Sequence, residues 1–142
     1  MPSVTVELQL RWGDQDPYRH VNNVAVASLL EEARALVFWT QDSPLPALSV
    51  ESPVHVLVAR ADISYMRPID YRPEPLLAEL DVPAVGGASF DIAYRLVQDG
   101  QACVKAVTRM AMVDGVTGSP VRLSPEVRAW LRGFAPDPEV GA

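Results

Sequence analysis

Residues 11–34, RWGDQDPYRHVNNVAVASLLEEAR, set a compact polar loop directly ahead of an apolar helix. The loop carries two carboxylates, Asp14 and Asp16, one of the chain's two histidines, His20, and the pair Asn22-Asn23. It ends where a helix N-terminus offers unpaired N–H groups to an anion, so an acid, a base and an oxyanion site share one segment. Beyond it Val26, Leu29, Leu30, Ala33 and Val37 recur at helical spacing, with Ser28, Glu31, Glu32 and Arg34 elsewhere. This predicts a helix of about four to five turns with Asn22 or Asn23 as N-cap. Alanines at 25, 27, 33 and 35 make the helix slim, so a sheet can approach it closely and curl around it.

Working outward, Val4 to Arg11 alternates Val4, Val6, Leu8 and Leu10 with Thr5, Glu7 and Gln9, the period of a half-buried strand. Gln41–Pro53, with three prolines and no periodicity, reads as a loop. Four strands then follow. Val54–Met66 is long and mostly apolar, and Leu76–Val82 sets Leu76, Ala78, Leu80 and Val82 against Glu79 and Asp81. Ser89–Gln98 sets Phe90, Ile92, Tyr94 and Leu96 against Asp91 and Arg95. The hairpin pair Asp99-Gly100 sends the chain back along Ala102–Val113. Ser124-Pro125-Glu126 opens a short helix to Arg132, with Ser as cap, Pro at the first helical position and Gly133 as stop. The order predicts an α+β fold: a mostly antiparallel five-stranded sheet around one long helix, plus a short C-terminal helix. Such a sheet has an edge to protect, and a second copy of the chain can protect it, so a homodimer or homotetramer is expected.

With 142 residues, 49% of them hydrophobic, the chain suits one domain over residues 1–134, followed by a flexible tail over 135–142 that is poor in apolar groups. A formal net charge of −6 without a run of Lys or Arg argues against nucleic-acid and anionic-membrane partners. The single Cys103 excludes an internal disulfide and cannot build a zinc site alone; it sits in an apolar strand pattern, as a buried structural thiol does. No basic segment precedes an apolar stretch at the N-terminus, and no apolar run reaches the ~20 residues that span a bilayer. The expected location is the cytoplasm.

Several motifs are similar to those of one family. Arg-Trp-Gly-Asp-Gln-Asp-Pro at 11–17, His-Val-Asn-Asn at 20–23, Glu-Glu-Ala-Arg at 31–34, Ile-Ser-Tyr-Met-Arg-Pro at 63–68 and Val-Asp-Gly-Val-Thr-Gly-Ser-Pro-Val-Arg-Leu at 113–123 resemble hot-dog-fold thioesterases of the 4-hydroxybenzoyl-CoA type. The resemblance covers about the whole chain and implies an acyl-CoA or other acyl-thioester substrate. It places the catalytic carboxylate on Asp16 and the N–H that polarises the thioester carbonyl on Asn23. Arg19 stands where relatives carry Gly, and Val26 where they carry an aromatic residue. Gly86, Gly87 and Ala88 stand where several relatives place basic residues for the coenzyme A phosphates.

The chemistry suits the residues. A thioester needs an attacking oxygen and a stabilised oxyanion but neither metal nor cofactor, because a thiolate leaves easily. Asp16 can attack directly or deprotonate water. As alternatives, Asp14 and Asp16 can be turn residues, the usual role of Asp before Pro, and Glu31 or Glu32 can act from the helix. His20 is expected to bond the loop backbone or Asp14, since His55 lies too far along the chain to share a metal with it. Arg67, Arg72, Arg109 and Lys105 are candidate phosphate contacts, although scattered cations are mostly solvated surface. A hot-dog hydratase or dehydratase and a non-catalytic acyl-thioester-binding module are the competing functions.

Overall fold

A computed structural model describes residues 3–136; the tail expected over 135–142 falls outside them from residue 137 on. Five strands form one antiparallel sheet in the order β1-β3-β4-β5-β2: β1 is Val4–Leu8, β2 Val54–Tyr65, β3 Leu76–Val85, β4 Ser89–Gln98 and β5 Gln101–Asp114. The long helix α1 is Asn23–Phe38 and the short helix α2 is Pro125–Arg132. The β4–β5 turn is tight because Asp99 and Gly100 both take positive φ, 56° and 73°, which matches the strand twist.

The alternation of β3, β4 and β5 brings their apolar sets into common rows on one face. Leu80 pairs with Tyr94 and Tyr94 with Ala106, while Ala78 pairs with Leu96 and Leu96 with Val104; all of these are buried. Against this face α1 buries Ala25, Val26, Leu29, Leu30, Ala33, Val37 and Phe38. Each large aliphatic or aromatic side chain buried here contributes about 1.5–3 kcal/mol. Ala33 on the helix and Ala78 on the sheet are both fully buried, so small residues allow the close approach expected of a slim helix. At the far end α2 packs as a plug through the edge-on rings of Phe38, Trp130 and Phe134, with Phe38–Phe134 centroids 5.0 Å apart.

Two strand ends differ by several residues from the sequence expectation. β1 ends at Leu8 rather than Arg11, because its partner β3 begins opposite at Leu76, directly after Pro75, which has no N–H to extend the ladder. β3 instead runs past Val82 to Val85, accommodating Pro83 at a register shift between Asp81 and Ala84, beyond the last β1 pair at Leu80. β2 is an edge strand paired only with β5. Leu57, Val58 and Tyr65 on it are exposed, as is Met66 just after it.

Candidate active site

The loop between β1 and α1 is a small folded unit. Arg11 opens a single 3-10 turn over Trp12–Asp14, and buried Asp14 accepts from the Arg11 backbone N–H at 2.8 Å and from its guanidinium at 3.0 and 3.2 Å. The chain then doubles back. The Asp16 N–H donates to the His20 carbonyl at 2.8 Å, and the Asn22 N–H donates to the Asp14 carbonyl at 2.9 Å. Asp16 holds this turn with one oxygen: Oδ1 accepts from the N–H groups of Tyr18 at 2.8 Å and His20 at 3.2 Å. Its Oδ2 has no partner among the described residues. Arg19, at the position that is Gly in the family pattern, adopts the left-handed φ of 65° that such a position requires.

The half-buried Asp16 faces an open cleft of about 730 Å³ walled by Trp12, Gly13, Gln15, Arg19, Asp70 and Tyr71. Two residues past the loop α1 begins, with Asn22 as N-cap: its Oδ1 accepts from Ala25 N at 2.8 Å and its carbonyl from Val26 N at 3.0 Å. The N–H groups of Asn23 and Val24 therefore remain without an acceptor among the described residues, a ready anion site. From this end a trough runs between α1 and edge strand β2. A cavity of about 280 Å³ opens between Val26, Tyr65, Met66 and Val104, and one of about 390 Å³ lies farther along between Arg34, Ala35, Val56, Val58 and Met110.

Comparison with known proteins identifies the family. The family model of the thioesterase-like superfamily matches residues 10–131, from the polar loop through α2. The chain belongs to this superfamily. A thioesterase from Thermus thermophilus complexed with coenzyme A and Zn is 25% identical, with a TM-score of 0.77 over 97% of each chain. A Pseudomonas aeruginosa protein is also 25% identical, with a TM-score of 0.80 over 93% of this chain and 91% of its own. The DHNA-CoA thioesterase of Staphylococcus aureus, 18% identical, shares the fold with a TM-score of 0.79 over 94% of this chain and 89% of its own. The fold is the hot-dog fold, and the chemical class of this thioesterase is thioester hydrolysis.

Within the thioesterase, one expectation is corrected. His20 bonds the loop through its backbone, but its ring approaches Asp70, Nε2 to Oδ1 at 3.7 Å, not Asp14, because Asp14 is already satisfied by Arg11. Arg72 forms a two-pronged ion pair with Asp99 at 2.7 and 2.8 Å, and Arg109 one with Asp91 at 3.0 and 3.3 Å. Their guanidinium groups are thereby occupied, and the Asp99 carboxyl is held below its usual range by Arg72. Arg67 and Lys105 are exposed. Glu31 and Glu32 are exposed on α1, with Glu31 in contact with Arg34 at 3.4 Å. Cys103 is buried, and burial pushes its thiol up, as befits a structural residue. The wall residues Asp70 and Tyr71 carried no sequence signal, since the chain after β2 is brought beside the loop by the bridge between His20 and Asp70 and by the Val21 N–H donating to the Ile69 carbonyl at 2.9 Å. Among the described residues no His, Cys, Asp and Glu side chains gather as a metal-binding group, and no helix is long and apolar enough to cross a membrane.

Proposed function

We propose that this thioesterase hydrolyses acyl-CoA, with Asp16 as the reacting carboxylate and the Asn23 N–H as the oxyanion donor. The observation that carries the reading is the pairing of an anchored carboxylate with a bare helix end. One oxygen of Asp16 is committed to the turn, the other has no partner among the described residues, and the unpaired N–H groups of α1 begin three residues beyond His20, which closes the turn. A thioester carbonyl set against the Asn23 N–H becomes more electrophilic, and negative charge on its oxygen is stabilised as the tetrahedral centre forms. In one route Asp16 Oδ2 attacks the carbonyl carbon, the C–S bond breaks, the thiolate departs and water then hydrolyses the resulting anhydride. In the other, Asp16 takes a proton from a water that attacks in its place. The coenzyme A bound to the Thermus thermophilus relative supports CoA as the thiol.

The trough between α1 and β2 suits the acyl group: Val26, Val104, Val58 and Met110 give it apolar surface, with Arg67 at the first cavity and Glu31, Glu32 and Arg34 at the second. β2 also offers a second copy of the chain an open edge bordered by exposed Leu57, Val58, Tyr65 and Met66, and a dimer formed there places the site at the subunit boundary. Thiol release from a panel of acyl-CoAs, run beside Asp16→Asn, tests the reading. Release by the wild type and its loss in the variant support it, whereas tight binding without release indicates an acyl-binding module.

A further inference from the structure

The second cavity carries charge: Glu31, Glu32 and Arg34 all border it. Arg34 lies on the same ridge of α1 as Val26 and Leu30, its side chain is only 12% exposed, and it borders the 390 Å³ cavity. Among the described residues its one ionic partner is Glu31, reached through a single nitrogen at 3.4 Å, and the Glu31 side chain is 76% exposed. Such a pair is worth little, and a guanidinium presents five donors in a planar fork that matches a carboxylate. Beneath it the buried Tyr94 hydroxyl, bonded to Thr108 at 2.6 Å, adds a second polar group at the same depth. Arg34 is a cation facing a cavity with most of its donors unpaired among the described residues, and such a fork can receive a carboxylate.

We propose that Arg34 is a specificity-determining residue that receives a carboxylate at the far end of the acyl group, so that the preferred substrates are acyl-CoAs with an acidic terminus. This rests on the acyl-CoA reading above. The helix sets the length: eleven residues separate Asn23 from Arg34, about 16 Å of rise. The Arg34 side chain leans back one turn toward Glu31, which brings its fork to about 12 Å from the helix start. Substrates of this reach bring the thioester to the Asn23 N–H and the carboxylate to Arg34 together. The alternative source of negative charge is the phosphates of coenzyme A, reached if the pantetheine arm lay in the trough. Pantetheine thioesters, which lack those phosphates, separate the two sources.

The test is a set of acyl-CoAs of matched lengths ending in methyl, carboxylate or carboxylate methyl ester, assayed by thiol release with wild type, Arg34→Met and Arg34→Lys. In the wild type we expect kcat/KM for the acid to exceed that for its methyl ester at least tenfold at the best-fitting length. That ratio should collapse toward one in Arg34→Met and be partly kept in Arg34→Lys. The ester comparison needs no variant, so it stands even if Arg34→Met fails to fold. Equal rates for acid and ester at every length overturn the inference, as does an unchanged ratio in Arg34→Met. Dissociation of the Arg34→Met assembly in sedimentation also overturns it, by making Arg34 a contact between copies. So does an Arg34 effect that vanishes when CoA is replaced by pantetheine, which would assign the arginine to the phosphates. Thiol release from methyl-ended chains without acid preference sinks this inference alone, whereas no release from any acyl-CoA sinks the acyl-CoA reading with it.

Discussion

Asp16→Asn separates the chemistry of the loop from its architecture. The amide oxygen of Asn can still accept from the N–H groups of Tyr18 and His20, which Asp16 Oδ1 now does at 2.8 and 3.2 Å, so the turn that presents residue 16 persists. What is lost is the charge assistance of two bonds in a partly exposed loop, a stability change of about 1 kcal/mol or less. For a chain of this size that is a fall of roughly 2–4 °C in Tm. The catalytic loss is larger, because the amide can neither attack a thioester carbonyl nor take a proton from water. General base or nucleophilic catalysis supplies at least about a hundredfold, so the barrier should rise by about 2.7 kcal/mol or more. Initial rates of thiol release give kcat/KM, and a thermal melt on the same preparation reports the fold. Asp16→Ala should show the same kinetic loss with a further fall in stability, since both turn bonds go. A correctly folded Asp16→Asn with kcat/KM within tenfold of wild type would refute the assignment and move the chemistry to Glu31 or Glu32.

Three further outcomes are expected. Gly115→Ala should destabilise by about 1–3 kcal/mol in urea melts, because the added Cβ would stand 2.9 Å from His55 Nε2 and 3.1 Å from the Ser52 carbonyl oxygen; an unchanged midpoint would show that this turn can yield. Burial raises the Tyr94 phenol above its ordinary 10.0, partly offset by Thr108 and Arg34. Above pH 10.0 the unfolded chain therefore loses this proton before the folded one, stability should decline as pH rises, and Tyr94→Phe should flatten the decline in urea melts across that range; parallel curves for the two proteins contradict this. Sedimentation should find a dimer or larger assembly, and Val58→Lys, which places a charge on the β2 edge, should weaken it; a fully active wild-type monomer would count against the subunit-boundary site.

Much of the fold was legible because its signals are local. Alternation set the inward faces of β3, β4 and β5, Asp99-Gly100 marked the hairpin, and Asn22 and Ser124 marked the helix starts they do cap. The polar loop was legible for the same reason: its bonds span two to eight residues, from Asp16 Oδ1 with the Tyr18 N–H to the Asp14 carbonyl with the Asn22 N–H. Hydrophobicity alone did not place β2 in the sheet, because an apolar strand awaiting a partner at an edge has the composition of one buried between neighbours. Arg34 looked like any polar helix residue, and Asp70 like any loop acid. The sequence by itself determined the elements, the caps and the loop that carries Asp16. The order β1-β3-β4-β5-β2, the trough beside β2 and the burial of Arg34 above Tyr94 were decided by tertiary structure alone, because each depends on contacts between residues far apart in the chain, which no local periodicity encodes.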